Sequence, residues 1–358
     1  MKIVYCIDSV CRVGGMEIVT IAKANALAKI AGNEVWIVVT DAKSVPIRPL
    51  EGIHLVDLGV NYLTEYYGLT GYYKKNRLHK ERLEKVLNDI KPDVVVATGQ
   101  SEKNFLPSLQ LVSKPLLIRE MHIEKFYRLR EKARNVKERS SRWLSQQYEY
   151  RWKIKGYDYI VVLTEEEKER NWKCWKNVSV MPNPITSVCD VQSTCEAKTA
   201  IAVGRLAEEK DFASLIRIWG KVTEKHPDWR LEIWGKGELE AALRQQIEES
   251  GLEGKVCLMG YTAEALQKMS QASLYLLTSM FEGFGLVLIE AMSVGLPLVS
   301  YMCPTGPKTI IEDEPLRKQM GQAGLKESEK YRIEDIAQRW MQLFRELLAK
   351  KPSRRNSR

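Results

Sequence analysis

A two-domain α/β protein, each domain a doubly wound parallel sheet, is what this sequence predicts, and three observations predict it. Short β-branched runs alternate with amphipathic stretches of helical period along almost the whole chain. The alternation lapses once, in the polar, proline-containing stretch NPITSVCDVQSTCEAK at 183–198, and then restarts. The 358 residues also exceed what one ordinary core fills, since domains settle at about 150 residues.

The elements follow in order. KIVYCI at 2–7 reads as a strand, MEIVTIAKANALAKI at 16–30 as a helix and EVWIVV at 34–39 as the next strand. HKERLEKVLNDI (79–90) is helical, and PDVVVAT (92–98), KPLLIRE (114–120) and YDYIVVL (157–163) are strands, with a long basic helix expected over 126–155. These strands are nearly continuous apolar runs rather than alternating ones, which is what burial on both faces of a parallel sheet requires. After the lapse, TAIAVGR, WRLEIWGKG, KVCLMGY, ASLYLLT and LPLVSYM supply strands. FASLIRIWGKVTEK, ELEAALRQQIEES, TAEALQKMS and GLVLIEAMSVG supply the helices between them. A last helical pattern, IEDIAQRWMQLFRELLAKK, runs into a basic tail. The implied division is 1–186, 187–330 and a C-terminal helix and tail over 331–358. Two such domains facing each other make a cleft, and ligands in these sheets sit outside the carboxyl ends of the strands.

Composition narrows the function classes. No apolar run approaches the ~20 residues that span a bilayer. The chain enters its first strand at once, so a cytoplasmic protein, or one on the inner face of the membrane, is expected. Seven cysteines without a C-x-x-C pair imply reduced thiols rather than a disulfide framework or zinc site. The four histidines share no metal-ligand spacing and Asp-x-Asp occurs nowhere, so no metal is expected. Residues 1–190 hold 31 Lys+Arg against 23 Asp+Glu, while the rest hold 24 against 23. The excess is densest over 119–155, with 12 basic and 5 acidic residues. Such a region suits an anionic partner, lipid headgroups or a phosphate-bearing acceptor, and equally suits a solvated helix face. The aromatics lie among apolar residues without a recognisable nucleic-acid motif, which disfavours that class.

Three loops at strand ends carry the candidate chemistry. Gly14-Gly15 opens the first helix, where glycines let backbone N–H groups approach an anion; G-x-G-x-x-G is absent, which disfavours a dinucleotide. VGRLAEEKD places Arg205 and Lys210 five apart around a turn, a pair suited to a diphosphate or to solvent alone. In FEGFGLVLIEAMSVGLP, Gly283 and Gly285 free the backbone for a tight turn before a helix starting near Leu286. Glu282 precedes that helix and Glu290 lies just over one turn inside it. Glu282 reads equally as a charge favoured by the helix dipole. Glu290 sits in an apolar sequence, an awkward place for a free surface carboxylate. Phosphates on the N–H groups and hydroxyls on the glutamates would make a nucleotide-sugar site.

At these residues the sequence resembles glycosyltransferase family 4, the retaining nucleotide-sugar transferases of GT-B fold. EGFGLVLIEAM is similar to that family's Glu–seven residues–Glu motif, GRLAEEK to its phosphate-binding loop and GGME to its first-domain glycine loop. REMHIE places His122 where the family carries a histidine, and VMPNP resembles the hinge element, with Pro184 where glycine is frequent. The resemblance implies GT-B architecture with the C-terminal helix returning toward the first, acceptor-binding domain. It implies that Arg205 and Lys210 neutralise the leaving diphosphate, Glu290 binds the ribose, and Gly283, Phe284, Gly285 and Leu286 hold sugar and phosphate through backbone N–H groups. Glu282 would bind the donor sugar, His122 would donate to its outer hydroxyl or turn its carbonyl to the developing positive charge, and the base would lie by Gly235, Gly260 and Tyr261. Gly14, Gly15 and Glu17 would line the acceptor side, with Gly15 nearing the diphosphate.

The implied substrate is a nucleotide-sugar, a UDP-sugar ahead of a GDP-sugar, with no cofactor and no metal required. The implied acceptor is a glycan or polyprenyl-phosphate-linked sugar in capsule or lipopolysaccharide assembly, with an anionic inner-membrane surface met through 119–155. A nucleotide-sugar 2-epimerase on the same fold and a binding-only member are the alternatives. One departure stands out: Glu312 follows Ile311 directly, where the family continues through a further turn, strand and helix. The second domain is therefore expected to be shortened there and to aggregate through an uncovered edge.

Overall fold

The computed structural model describes the chain apart from residues 12–13, 41, 43–44, 61–67, 104, 124, 126–135, 302–316 and 351–358. The Ile311–Glu312 junction and part of the basic 119–155 stretch lie outside the described residues. The chain divides into two compact units, Met1–Thr186 with Ile333–Arg358, and Ser187–Arg332.

The first unit holds seven parallel strands: β1 (Lys2–Ile7), β2 (Glu34–Val39), β3 (Ile53–Asp57), β4 (Val94–Ala97), β5 (Leu116–Glu120), β6 (Tyr159–Val162) and β7 (Val178–Val180). Their order is β3-β2-β1-β4-β5-β6-β7, all neighbours parallel. Successive side chains on a strand point to opposite faces, so each strand feeds two cores. Ile3, Tyr5, Val94, Val96 and Ile118 face one core, and Val4, Cys6, Val95 and Ala97 face the other. The first face is covered by α1 (Gly15–Ala28) and by the chain's last helix, α10 (Ile333–Lys350), which contributes Ile336, Trp340 and Phe344. The second takes Leu83 and Leu87 of α2 (Gly68–Ile90). The basic stretch forms α3 (Val136–Tyr148), which loosens into a wide π turn and a tight 3₁₀ turn up to Gly156. α4 (Glu165–Asn171) follows β6, capped by Thr164.

In the second unit five parallel strands run β10-β9-β8-β11-β12: β8 (Thr199–Val203), β9 (Arg230–Trp234), β10 (Val256–Gly260), β11 (Leu274–Leu277) and β12 (Leu298–Ser300). α5 (Phe212–Lys225) and α6 (Glu240–Glu249) pack Phe212, Trp219, Leu243 and Ile247 on one sheet face. α7 (Ala265–Ser270), α8 (Leu286–Ser293) and α9 (Arg317–Ser328) complete the unit. α8 and α9 meet closely: a Cβ at Gly321 would lie 2.3 Å from the Gly295 carbonyl oxygen.

Both sheets reverse their winding beside their first strand, between β1 and β4 and between β8 and β11. A crevice opens outside the carboxyl ends at such a point, because the two flanking connections leave in opposite directions. The candidate loops of the second unit belong to this place.

Candidate active site

The exit loops of β8 and β11 are stitched to one another. Met280 N–H donates to the Glu209 carbonyl at 2.8 Å, and the Thr278 hydroxyl donates to the carbonyls of Lys210 and Asp211 at 3.1 and 3.2 Å. Asp211 adopts left-handed φ of +47° and caps α5, its carboxylate accepting from Ser214 N–H. Lys210 is thereby turned back toward the second loop, where its ammonium donates to Glu282 Oε1 at 2.7 Å. The Ser279 hydroxyl donates to the same oxygen, also at 2.7 Å. Lys210 and Glu282 retain 18% and 11% of their side-chain exposure, so the pair is sheltered yet reachable. Arg205 lies at the same strand end, 65% exposed and paired to Glu209 at 2.5 Å.

α8 starts immediately after this cluster. Gly285 holds φ of +82° as its N-cap, and among the described residues no side chain caps the helix. Residues with a Cβ adopt that conformation at a cost, which explains the glycine. Phe284 is buried edge-on against Tyr331, their ring centroids 5.7 Å apart, so only its backbone is left to meet a ligand. Gly283, Leu286 and Glu290 are half-buried. Burial pushes the Tyr275 phenol well above its usual value, and Glu282 and Glu290 both add to that rise.

Gly235 and Gly260 have a structural task. Gly235 N–H donates to the Gly260 carbonyl, and a Cβ at Gly235 would lie 1.8 Å from the Gly204 carbonyl oxygen. The loops after β8, β9 and β10 approach too closely for a side chain there. Tyr261 follows with its ring 55% exposed.

In the first unit, Gly14 is the N-cap of α1 and Gly15 its first residue. A Cβ at Gly14 would lie 2.2 Å from Glu17 Oε2. Glu17, at the third helical position, therefore lies close against this helix start. His122 follows β5, its side chain 5% exposed and its Nε2 3.3 Å from Glu120 Oε1. It borders a cavity of about 200 Å³ that is also lined by Arg119, Lys125, Arg142, Gln146 and Tyr150.

Sequence reasoning missed several groups. Ser279 and Thr278 were detectable as a polar pair ending a buried strand. At the first unit's reversal point, Asp8 accepts from the N–H groups of Gln100 and Ser101 at 2.9 and 3.0 Å. Burial, assisted by Asp8, pushes the Glu102 carboxyl up to about 8. Lys23 pairs with Glu120 in full burial. Its signal was its place at four-residue steps between the core residues Val19 and Leu27. Among the described residues no cluster of His, Cys, Asp and Glu suits a metal ion, and no helix is long and apolar enough to cross a membrane.

Residues 192–354 match the family model for glycosyl transferases group 1. An uncharacterized glycosyltransferase of Haemophilus influenzae is 36% identical over 158 residues, 43% of this chain and 45% of that protein. The amylovoran biosynthesis glycosyltransferase AmsD of Erwinia amylovora is 29% identical over 214 residues, 51% of this chain and 60% of that protein. These matches span between two fifths and two thirds of the relatives concerned. The fold is shared more widely: a mutant of S. aureus TarM, solved in complex with fondaparinux, α-GlcNAc-glycerol and UDP, superposes with a TM-score of 0.70 at 16% identity, covering 96% of this chain and 99% of that one. With two parallel α/β sheets, a last helix returning to α1, and the Glu–seven residues–Glu loop at the reversal point of its second sheet, the chain has the GT-B fold, and its residues 192–354 are similar to the glycosyl transferases group 1.

Proposed function

We propose that this glycosyltransferase moves a sugar, with retention at the anomeric carbon, from a nucleotide-sugar to a growing glycan or lipid-linked acceptor of a cell-surface polysaccharide. The observation that carries the reading is the Lys210–Glu282–Ser279 cluster at the carboxyl ends of β8 and β11, beside a helix start without a side-chain cap. An ammonium has three donors, so Lys210 can hold Glu282 and still offer N–H groups to a diphosphate. Arg205, exposed beside it, supplies a planar fork for the same group. Glu282 takes hydroxyls of the donor sugar, Glu290 those of the ribose, and the backbone N–H groups of Gly283 to Leu286 take phosphate oxygens. In the first unit, His122 is read as a contact for a sugar hydroxyl.

Breaking the anomeric C–O bond leaves an oxocarbenium-like sugar and a diphosphate gaining negative charge. Fixed cations and helix N–H groups stabilise that charge without reorganising. A UDP-sugar is favoured as donor because the similar S. aureus TarM was solved with UDP, and the name of the amylovoran enzyme supports a polysaccharide product. Thermal shift against UDP-, GDP- and ADP-sugars, with and without EDTA, tests the donor. A metal-independent shift with UDP-sugars is expected; a shift that appears only with added manganese would overturn the assignment.

The proposed place of work is an anionic membrane surface met through 119–155. Leu144, Tyr148 and Trp152 recur at four-residue steps, with Trp143 beside them, and all four are more than half exposed among basic residues. Tryptophan and tyrosine with cationic neighbours suit the headgroup layer, where rings insert and charges meet anionic lipid. Co-sedimentation with anionic vesicles should weaken from low to moderate salt and in Trp143→Ser/Trp152→Ser. Binding insensitive to both would sink this placement.

A further inference from the structure

Beneath α10 the first unit buries a lysine, a glutamate and a histidine together. Lys23 of α1 donates to Glu120 Oε1 at the end of β5, and each side chain is only 1% exposed. The Lys23 ammonium also lies 5.0 Å from the ring centroid of Trp340 and 5.8 Å from that of Tyr5, so aromatic rings close over it. His122 Nε2 sits 3.3 Å from the same Oε1, a close contact short of hydrogen-bond geometry, and is buried without a hydrogen bond among the described residues.

As a staple between helix and strand, this arrangement is a poor solution. Replacing a fully buried ion pair with apolar residues is often neutral or stabilising, because desolvating two charges offsets their attraction. A charged pair kept here, two residues from a candidate sugar contact, therefore points to a task that an apolar pair would not perform. Burial pushes the Glu120 carboxyl up, but the groups beside it, Lys23 foremost, outweigh it and hold it down to about 2. Burial pushes the His122 imidazole down, against the pull of Glu120, which keeps the ring neutral. A neutral imidazole beside a carboxylate places its single proton on the nitrogen that faces the carboxylate, and the other nitrogen keeps a lone pair.

We propose that Glu120, anchored by Lys23, is a positioning residue that takes the Nε2–H of His122 and so leaves Nδ1 as the acceptor for a hydroxyl of the sugar substrate. The proposal rests on the reading of His122 as a sugar contact and reverses the direction of the hydrogen bond which the family resemblance implied. The histidine accepts and the sugar donates. A substrate with a hydroxyl at that position is recognised, and one that offers only an acceptor oxygen there is not.

Imidazole ¹H–¹⁵N spectroscopy on the whole protein tests the first half without any substrate. With four histidines in the chain, His122 is assigned by the loss of its signals in His122→Ala. The expected result is a neutral ring whose Nε2–H is shifted downfield and exchanges slowly with water. In Lys23→Met/Glu120→Leu, an apolar exchange of the pair, that resonance should move upfield or vanish by exchange. A proton on Nδ1, a charged ring, or an Nε2–H signal unchanged in the double variant would overturn the proposal. Should the double variant not fold, the wild-type spectrum alone decides. UDP release from UDP-glucose tests the second half. Both the double variant and His122→Ala should lose roughly tenfold in turnover, one oriented hydrogen bond. The combined variant should lose no more than His122→Ala alone. Additive losses would mean that Glu120 acts without His122 and would overturn the positioning role. Unchanged turnover in His122→Ala would instead remove the sugar contact, leaving the tautomer result standing.

Discussion

Each unit contains a lysine–glutamate pair near the carboxyl ends of its strands, and the two pairs differ in what surrounds them. Lys23–Glu120 is sealed, with both side chains at 1% exposure under Trp340. Lys210–Glu282 keeps 18% and 11%, and shares its carboxylate with the Ser279 hydroxyl. A sealed pair cannot exchange partners without breaking the core, so its charges act only on their immediate neighbours. A sheltered but reachable pair can admit a ligand's charges in place of water. The sealed pair belongs to the architecture of a site and the reachable one to its chemistry.

The largest effect that would test this contrast is on stability. Lys23→Ala leaves a buried carboxylate unpaired and should cost about 3–5 kcal/mol in urea unfolding, whereas Lys210→Ala should cost no more than about 1 kcal/mol. Equal losses would erase the distinction. Next comes acid unfolding. Glu120 is held down to about 2, below its unfolded value near 4.5, so its stabilisation is complete above the unfolded value and fades as pH falls toward 2. The loss should be on the order of 3 kcal/mol in the wild type, and absent in Lys23→Met/Glu120→Leu.

Nucleotide affinity reports the reachable pair. Arg205→Ala and Lys210→Ala should each weaken UDP binding at least about tenfold by calorimetry, from charge-assisted contacts of roughly 1.5–3 kcal/mol. Glu282→Gln should cut turnover far more than affinity, and Glu290→Gln the reverse. If the two glutamate variants behaved alike, their division of labour would be wrong. The smallest effect is expected at Asp211. Asp211→Gly relieves the left-handed backbone but loses a helix cap, so stability should move by less than about 0.5 kcal/mol. UDP affinity should stay within about twofold; a larger drop would mean that the loop conformation, and not the Lys210 charge, carries binding.

Much of the second unit was legible in the sequence because its signals are local. The run FASLIRIWGKVTEK matches α5 residue for residue, since its apolar positions keep helical period and Asp211 caps it. GFGL announced a turn before α8, and Gly285 does hold the positive φ. β3 was missed because Ile53–Asp57 is an edge strand with three of its five residues exposed, which dilutes the apolar run. β7 was missed because it has three residues. The Lys23–Glu120 pair joins residues 97 positions apart, and no local pattern names a partner at that distance. Gly235 suggested a ligand's approach, while the structure brings another backbone there.

The return of α10 to the first unit has a consequence for how the protein is made. Ile336, Trp340 and Phe344 belong to the same core as β1, α1 and β5, yet they leave the ribosome more than three hundred residues after Ile3. Until then one face of the first sheet stands uncovered, while the second unit is contiguous in sequence and holds its own core. The segment translated later is thus positioned to finish folding earlier. Cutting the gene between the two units would therefore separate unequal pieces: 187–332 carries its own core, and 1–186 requires the last helix to be supplied as a separate peptide.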